Sequence, residues 1–378
     1  MSEPNFTTRL DCRLFRGDAP CSPGALCEGC SKFEPIGKRI LVIKLGALGD
    51  VLRTTPILDA LRRESGPCHI TWVVDELSHP LLVNNPHIGR LVVFGPEAIV
   101  RVMVERFDVV YSLDKHPGAA GLATLARAGR KVGFVLDATS GNISCEGESA
   151  AYAYRLGLDD DLKFRRNTKT YQQMTFEMLG LEWRGQNYIF NLSDKMRELG
   201  RGVIENMNFE EDGPAIGLVT GSGEVWPMKR WTVEHFAALA DRLVEKLSAR
   251  VMLLGAERDR ARNIEIQTAA HFEHPLAPHN MGILEFAGLI GACDAIVTGD
   301  TAAMHIGLAM GVPTVALFGP TSAREVEMYR CGRAIVAPLE CSPCYRSSCK
   351  VSPTCMELIT VEDVFVSLME LMELMNDD

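Results

Sequence analysis

The sequence predicts an α/β protein made of two strand–helix halves, with a Cys-rich extension at each end. Three observations carry this. Short apolar runs of strand character alternate with stretches of helical period, the pattern of a parallel sheet wound with helices. The alternation gives way to a polar, weakly periodic stretch over residues 160–212 and then restarts. The chain has 378 residues, which at roughly 150 residues per domain suits two such units with a remainder.

Residues 1–37 are polar, rich in Cys and punctuated by Pro and Gly, and read as a small appended module. The first half, 38–185, opens on a strand at Arg39–Lys44. The Gly-containing turn LGALGD follows, leading into a helix with apolar positions at Val51, Leu52, Ile57, Leu58 and Leu61. His69–Val74, Arg90–Phe94 and Asp108–Leu113 read as further strands, and Tyr171–Leu179 as a helix. Residues 186–213 read as a linker. The second half, 214–340, has strands at Ala215–Val219, Val251–Leu254, Ala295–Val297 and Thr314–Phe318, and helices at Val233–Leu247 and Ile283–Ala292. A Cys-rich tail, 341–378, ends in a helix over Thr360–Asp378. Thr360 is placed to cap it, Glu362 and Asp363 fall in its first turn, and Val364, Leu368, Leu371 and Met375 recur at helical spacing.

A hydrophobic content of 47% supports a large core, and the net charge of −10 argues against general nucleic-acid binding. No run approaches the ~18 apolar residues needed to span a bilayer. The opening MSEPNFTTRLDCRLF lacks the apolar core of a signal peptide. The expected compartment is the cytoplasm, with peripheral contact at the inner face of the cytoplasmic membrane left open.

Three turns can carry chemistry. Gly46-Ala47-Leu48-Gly49-Asp50 joins the first strand to the first helix, where ligands of α/β sheets bind. Its spacing is not that of a dinucleotide fingerprint. Asp50 reads either as a helix cap or as a general base facing a cleft. In the second turn, TGSGEVWPMKRW, Thr220 and Ser222 sit on a flexible Gly-Ser-Gly segment that can bring backbone N–H groups to an anion. Lys229 and Arg230 follow. They read as a solvated basic pair or as partners of an anionic ligand, since cations are unfavourable at a helix start. The third is VTGDTAAMHIGLAMGVPTVALFGPT, residues 297–321. Here a turn opens a helix and presents unpaired N–H groups and the positive end of a helix dipole, suited to a diphosphate. Asp300 reads as a cap and His305 as a satisfied buried histidine, or both as members of that site. Asp159-Asp160-Asp161 reads as an exposed acidic loop in preference to a metal-binding D-x-D.

Taken together, LVIKLGALGDVLRTTPIL, GSGEVWPMKRWT and GDTAAMHIGLAMGVPTVALFGPT resemble, in order and spacing, glycosyltransferase family 9, whose best-known members are ADP-heptose:lipopolysaccharide heptosyltransferases. The resemblance covers about residues 38–360. It implies a GT-B fold: two Rossmann-like domains facing a cleft, the first meeting the acceptor and the second holding a nucleotide-sugar donor. In such folds the last helix commonly crosses back to the first domain. By resemblance, Asp50 is the catalytic base, and Lys229 steadies the donor phosphates and the leaving diphosphate. Asp300 contacts the donor sugar. The backbone amides of Thr301, Ala302, Ala303 and Met304 hold the diphosphate, His305 completes the motif, and Gly319 and Thr321 support it. Many members have Gly where this chain has Ala302. The implied reaction is an inverting transfer of a heptose-type sugar, with no metal or other cofactor in the step, to a lipopolysaccharide core or another glycan. Transfer to a protein and a non-catalytic sugar-nucleotide binding protein are the alternatives. Arg53, Lys115, Arg127, Arg130 and Lys131 are placed to meet an anionic acceptor.

Eight of the 12 cysteines form two end clusters, Cys12, Cys21, Cys27, Cys30 and Cys341, Cys344, Cys349, Cys355. Four thiolates suit structural zinc, with iron or an iron–sulfur cluster as alternatives, either in each cluster or in one site shared by the two ends. The tail CSPCYRSSCKVSPTC resembles that of second-heptose transferases. The family core does not explain the N-terminal cluster.

Overall fold

In the computed structural model, which describes residues 7–22, 24–223 and 226–376, two mainly parallel sheets face one another. The first half contains β1 (Lys38–Ile43), α1 (Leu48–Thr54), α2 (Ile57–Ser65), β2 (Cys68–Val74), β3 (Arg90–Val93), α3 (Pro96–Val104), β4 (Arg106–Ser112), α4 (Pro117–Leu125), β5 (Arg127–Leu136), β6 (Ile143–Glu146), α5 (Ala151–Leu156) and α6 (Tyr171–Leu179). Its sheet order is β3-β2-β1-β4-β5-β6, and only β6 is antiparallel. The central strand β1 pairs with β2 and β4, and is fully buried over Leu41–Ile43, which matches its unbroken apolar run.

The second half contains α7 (Asp194–Glu205), β7 (Ala215–Val219), α8 (Val233–Leu247), β8 (Arg250–Leu254), α9 (Arg260–Ala269), α10 (Ile283–Gly291), β9 (Ala295–Gly299), α11 (Ala302–Met310), β10 (Thr314–Phe318), β11 (Gly332–Val336) and α12 (Val361–Asn376). Its sheet, β11-β10-β9-β7-β8, is parallel throughout. Helix α7 arises in the stretch whose periodicity was too weak to read. It packs on α10 so closely that a Cβ on Gly200 would lie 2.0 Å from the carbonyl oxygen of Gly288.

The last helix, expected over Thr360–Asp378, is described to Asn376 and packs mainly on its own half. Its buried stripe, Val364, Leu368 and Leu371, joins the cluster of Trp231, Phe236 and Leu239, and α12 packs on α8 and on β9, β10 and β11 of its own half. The residues expected to make the stripe do make it. An apolar stripe, however, specifies burial and not a partner. The two halves are joined instead by the segment after α6. Asn85 Nδ2 donates to the Ile189 carbonyl at 3.1 Å, and the Ile189 N–H donates to Thr55 Oγ1 at 2.9 Å. Tyr188, Phe190 and Leu192 then enter the core of the second half, together with Leu52 and Leu81 from the first.

Candidate active site

Helices α1 and α11 both begin where a central strand ends, and their first turns pack against each other across the cleft. Neither has a side-chain cap. Asp50 and Asp300 are therefore not capping residues, and both carboxylates turn to cations. Asp50 meets Arg53 at 2.8 Å and Lys44 at 3.4 Å. Lys44 is buried and also reaches Asp114 at 3.4 Å. Burial works to raise the Asp50 pKa, but Arg53 and Lys44 overcome it and hold the carboxylate well below the usual range. Asp300 meets Lys229 Nζ at 2.8 Å, and the same ammonium donates to the Asp300 carbonyl at 3.1 Å. Burial again opposes ionisation, and Lys229 again outweighs it.

One cavity is lined by Gly49, Asp50, Arg53, Lys229, Asp300, Thr301, Ala302, His305 and Thr321, together with Trp226, Glu325 and Tyr345. The structure thus brings together Asp50, Lys229, Asp300, Thr301, Ala302, His305 and Thr321. Ala302 is the first residue of α11 and is not among the positive-φ residues, so the conformation there does not require glycine. The side chains of Ala303 and Met304 point into the core, leaving their backbone to serve the turn. Thr220 and Ser222 do not line the cavity. Thr220 Oγ1 is tied to Asn263 and to the Leu254 carbonyl, and Ser222 Oγ donates to the Trp226 carbonyl at 2.8 Å. Gly319 faces the tail, where a Cβ would lie 2.6 Å from Cys355 Sγ.

His305 lines the same cavity and is close enough to feel both carboxylates. Its Nδ1 lies 2.9 Å from the Tyr188 hydroxyl, and its ring lies against Gly49 of the other half. Burial first, and then Arg53, push its pKa from the ordinary 6.5 down to about 4. The unfolded chain therefore binds the extra proton first. The contribution of neutral His305 to stability is fully present above the unfolded pKa and is lost as pH falls through the lowered folded pKa. Urea unfolding at pH 7 and pH 4 should show this. In His305→Asn the acid-induced loss should be smaller, and an equal loss in both proteins would refute a neutral buried imidazole.

A second cavity adjoins the first on the side of the first half. Lys44, Asp50, Arg53, Asp114, Lys115, Lys163 and Tyr171 line it. Of the basic residues expected to meet an anionic acceptor, Arg53 and Lys115 are here. Lys131 donates instead to the Thr124 carbonyl, and Arg127 lines a separate groove with Arg39 and Arg106. Arg53 also stacks on Tyr171 at 3.9 Å.

Sequence reasoning passed over Lys44, Glu325 and Tyr345 as site residues. For Lys44 the signal was a lysine ending an apolar strand six residues before Asp50. Tyr345 gave none, because its place depends on how the Cys-rich tail runs. The tail hooks under the turn after β10: the N–H groups of Cys344 and Tyr345 both donate to the Pro320 carbonyl, at 3.0 and 2.8 Å. Tyr345 then stacks on Phe164 of the first half at 5.3 Å, with Lys163 Nζ 3.9 Å from its ring centre.

The cysteines stand as two separate groups. Cys12, Cys21, Cys27 and Cys30 line one cavity with Phe15 and Phe33, while Cys341, Cys344, Cys349 and Cys355 line another against Gly319 and Pro320. This gives no support to a site shared by the two ends. All 12 thiols are free, and among the described residues no group of three or more His, Cys, Asp or Glu side chains is arranged to hold a metal ion. The zinc and iron expectations therefore find no formed coordination site. In the acidic run at Asp159–Asp161, two carboxylates pair with arginine: Arg166 reaches Asp159 at 3.2 Å and Asp161 at 2.6 Å. Among the described residues, no helix is long and apolar enough to cross a membrane.

Comparison with known proteins places this geometry. The chain is 26% identical over 335 residues to lipopolysaccharide heptosyltransferase 1 of Pseudomonas aeruginosa, covering 84% of this chain and 88% of that protein. Its fold matches the crystal structure of a family 9 glycosyl transferase from Veillonella parvula with a TM-score of 0.71 at 22% identity, over 89% of this chain and 98% of that one. It also matches E. coli ADP-heptose LPS heptosyltransferase II with a TM-score of 0.65 at 21% identity, over 90% and 100%. These likenesses establish the GT-B arrangement of two facing α/β domains. The profile of glycosyltransferase family 9 (heptosyltransferase) matches residues 98–354, and the chain belongs to that family and is a glycosyltransferase.

Proposed function

We propose that this enzyme transfers a heptose from ADP-heptose to an acceptor in the inner core of lipopolysaccharide, with inversion at the anomeric carbon. The observation that carries the reading is the meeting of Asp50, from the first half, with Lys229, Asp300 and the uncapped start of α11, from the second, in one cavity. The family and the named heptosyltransferase relatives support the sugar and the acceptor class.

In this reading the diphosphate lies at the start of α11, where free backbone N–H groups and the helix dipole favour an anion. Lys229 shifts part of its charge from Asp300 to the phosphates and stabilises the leaving diphosphate. Asp300 is left to hold the donor sugar. Asp50, aimed and kept ionised by Lys44 and Arg53, takes the proton of the acceptor hydroxyl as the bond to the anomeric carbon forms and the bond to the diphosphate breaks. Lys115 and Lys163 line the acceptor side and suit an anionic saccharide. The cysteine clusters take no part in this step. The work falls in the cytoplasm, with the acceptor presented at the inner face of the membrane.

A screen of nucleotide sugars against an inner-core acceptor tests this. ADP release and a heptosylated product are expected with ADP-heptose, at a kcat/KM at least about a hundredfold above UDP- and GDP-hexoses, consistent with recognition through buried polar contacts. Preference for another nucleotide sugar would overturn the donor assignment. Transfer to a different glycan or to a protein, with no reaction at the inner core, would overturn the acceptor.

A further inference from the structure

The donor-side and acceptor-side cavities share three lining residues: Asp50, Arg53 and Glu325. The first two are paired with each other. Glu325 is not satisfied in that way. Its Oε1 is sealed among protein atoms, and the Tyr345 side chain hydrogen-bonds to the carboxyl group, while the exposed part of the side chain lines both cavities.

The position of Glu325 is fixed by its neighbours. It closes the short turn Ala323–Glu325, directly after Thr321 and Ser322 on the loop that follows β10. Arg324 points the other way and donates to the Arg165 carbonyl across the cleft at 3.0 Å, which holds the turn in place. Burial raises the pKa of Glu325, while Arg53, Lys163 and the Tyr345 hydroxyl favour its ionised form. The carboxyl group is thus a hydrogen-bond acceptor close to cations and close to both reaction partners. In the proposed reaction the anomeric carbon must lie between the diphosphate at α11 and the acceptor hydroxyl at Asp50. The donor sugar therefore occupies the junction of the two cavities, and Glu325 reaches it from the half that holds the donor.

We propose that Glu325 is a specificity-determining residue whose carboxylate accepts a hydrogen bond from a hydroxyl of the donor sugar where the two cavities join. This rests on the sugar-transfer reading above. The test is calorimetric titration of wild type, Glu325→Gln and Glu325→Ala with ADP and with ADP-heptose, with transfer assayed on the same preparations. ADP lacks the sugar, so all three proteins should bind it within about twofold. Binding of ADP-heptose should weaken about tenfold or more in Glu325→Ala and less in Glu325→Gln, which keeps an acceptor oxygen. Equal weakening of ADP and ADP-heptose would mark a merely structural role and overturn the assignment. So would unchanged ADP-heptose binding, or a wild type that binds ADP-heptose no more tightly than ADP. Failure of the proposed reaction is read separately, as wild-type protein that binds ADP-heptose and transfers nothing.

Discussion

Asp50→Asn should lower kcat by about 10²–10⁴, the range expected for loss of a positioned general base, while ADP-heptose affinity stays within about threefold. The substitution keeps the shape of the side chain and can still accept a hydrogen bond from Arg53 or Lys44. The donor-side contacts of Lys229 with Asp300 lie outside it. Asp50→Ala is a different experiment. Lys44, which is buried, would retain only Asp114, and Arg53 would lose its 2.8 Å partner, so some of the lost activity would reflect a disturbed network. Single-turnover rates for Asp50→Asn, with donor affinity measured by titration, separate the two. A kcat within fivefold of wild type would end the assignment of Asp50 as base.

The electrostatics of Asp50 add a consequence. Two cations that aim the carboxylate also lower its proton affinity, which makes it a weaker base than a free aspartate. It works best if the acceptor proton moves late, once bond formation at the anomeric carbon has acidified the hydroxyl. The ionisation of Asp50 in the free enzyme should therefore not produce an acid limb in kcat/KM within the ordinary carboxylate range.

How much of this was legible in the sequence differs with the kind of residue. Asp50, Lys229, Asp300 and His305 lie in turns joining strongly apolar strands to helices, and in parallel sheets such turns are bound to gather at one end. The strands Ala215–Val219 and Thr314–Phe318 carry the same local signal, and the structure places them at those residues. Arg53 was visible as a charge, and its i,i+3 spacing from Asp50 on α1 was the clue to its role. Glu325 and Tyr345 were beyond reach. They stand on aperiodic loops, and their position depends on the tail hooking onto Pro320 and on Phe164 meeting it from the other half. Strand β5 was passed over for a related reason. It begins RAGRK, with charges on an outer portion of the sheet, and lacks the apolar run by which buried strands are read.

Gly49→Ala should cost about 1–3 kcal/mol of stability and lower kcat/KM by about a hundredfold, although a methyl group is the whole of the change. The GALGD turn invites a phosphate-loop reading of its glycines. The structure gives Gly49 another reason: a Cβ there would lie 2.3 Å from His305 Cδ2 and 3.0 Å from Nε2. The imidazole cannot swing aside, because it is buried and its Nδ1 lies 2.9 Å from the Tyr188 hydroxyl. The strain must be relieved by sliding α1 away from α11, which moves Asp50 relative to Lys229 and Asp300. Catalysis across two domains is sensitive to such a shift, since about 1 Å of misplacement costs about a hundredfold. A double-mutant cycle with His305→Ala tests the cause. If the clash is with the imidazole, Gly49→Ala should cost less than about 0.5 kcal/mol in a His305→Ala background, where the ring is gone. Additive losses of stability in the double variant would show that Gly49 is required for backbone conformation and not for the approach of the second domain.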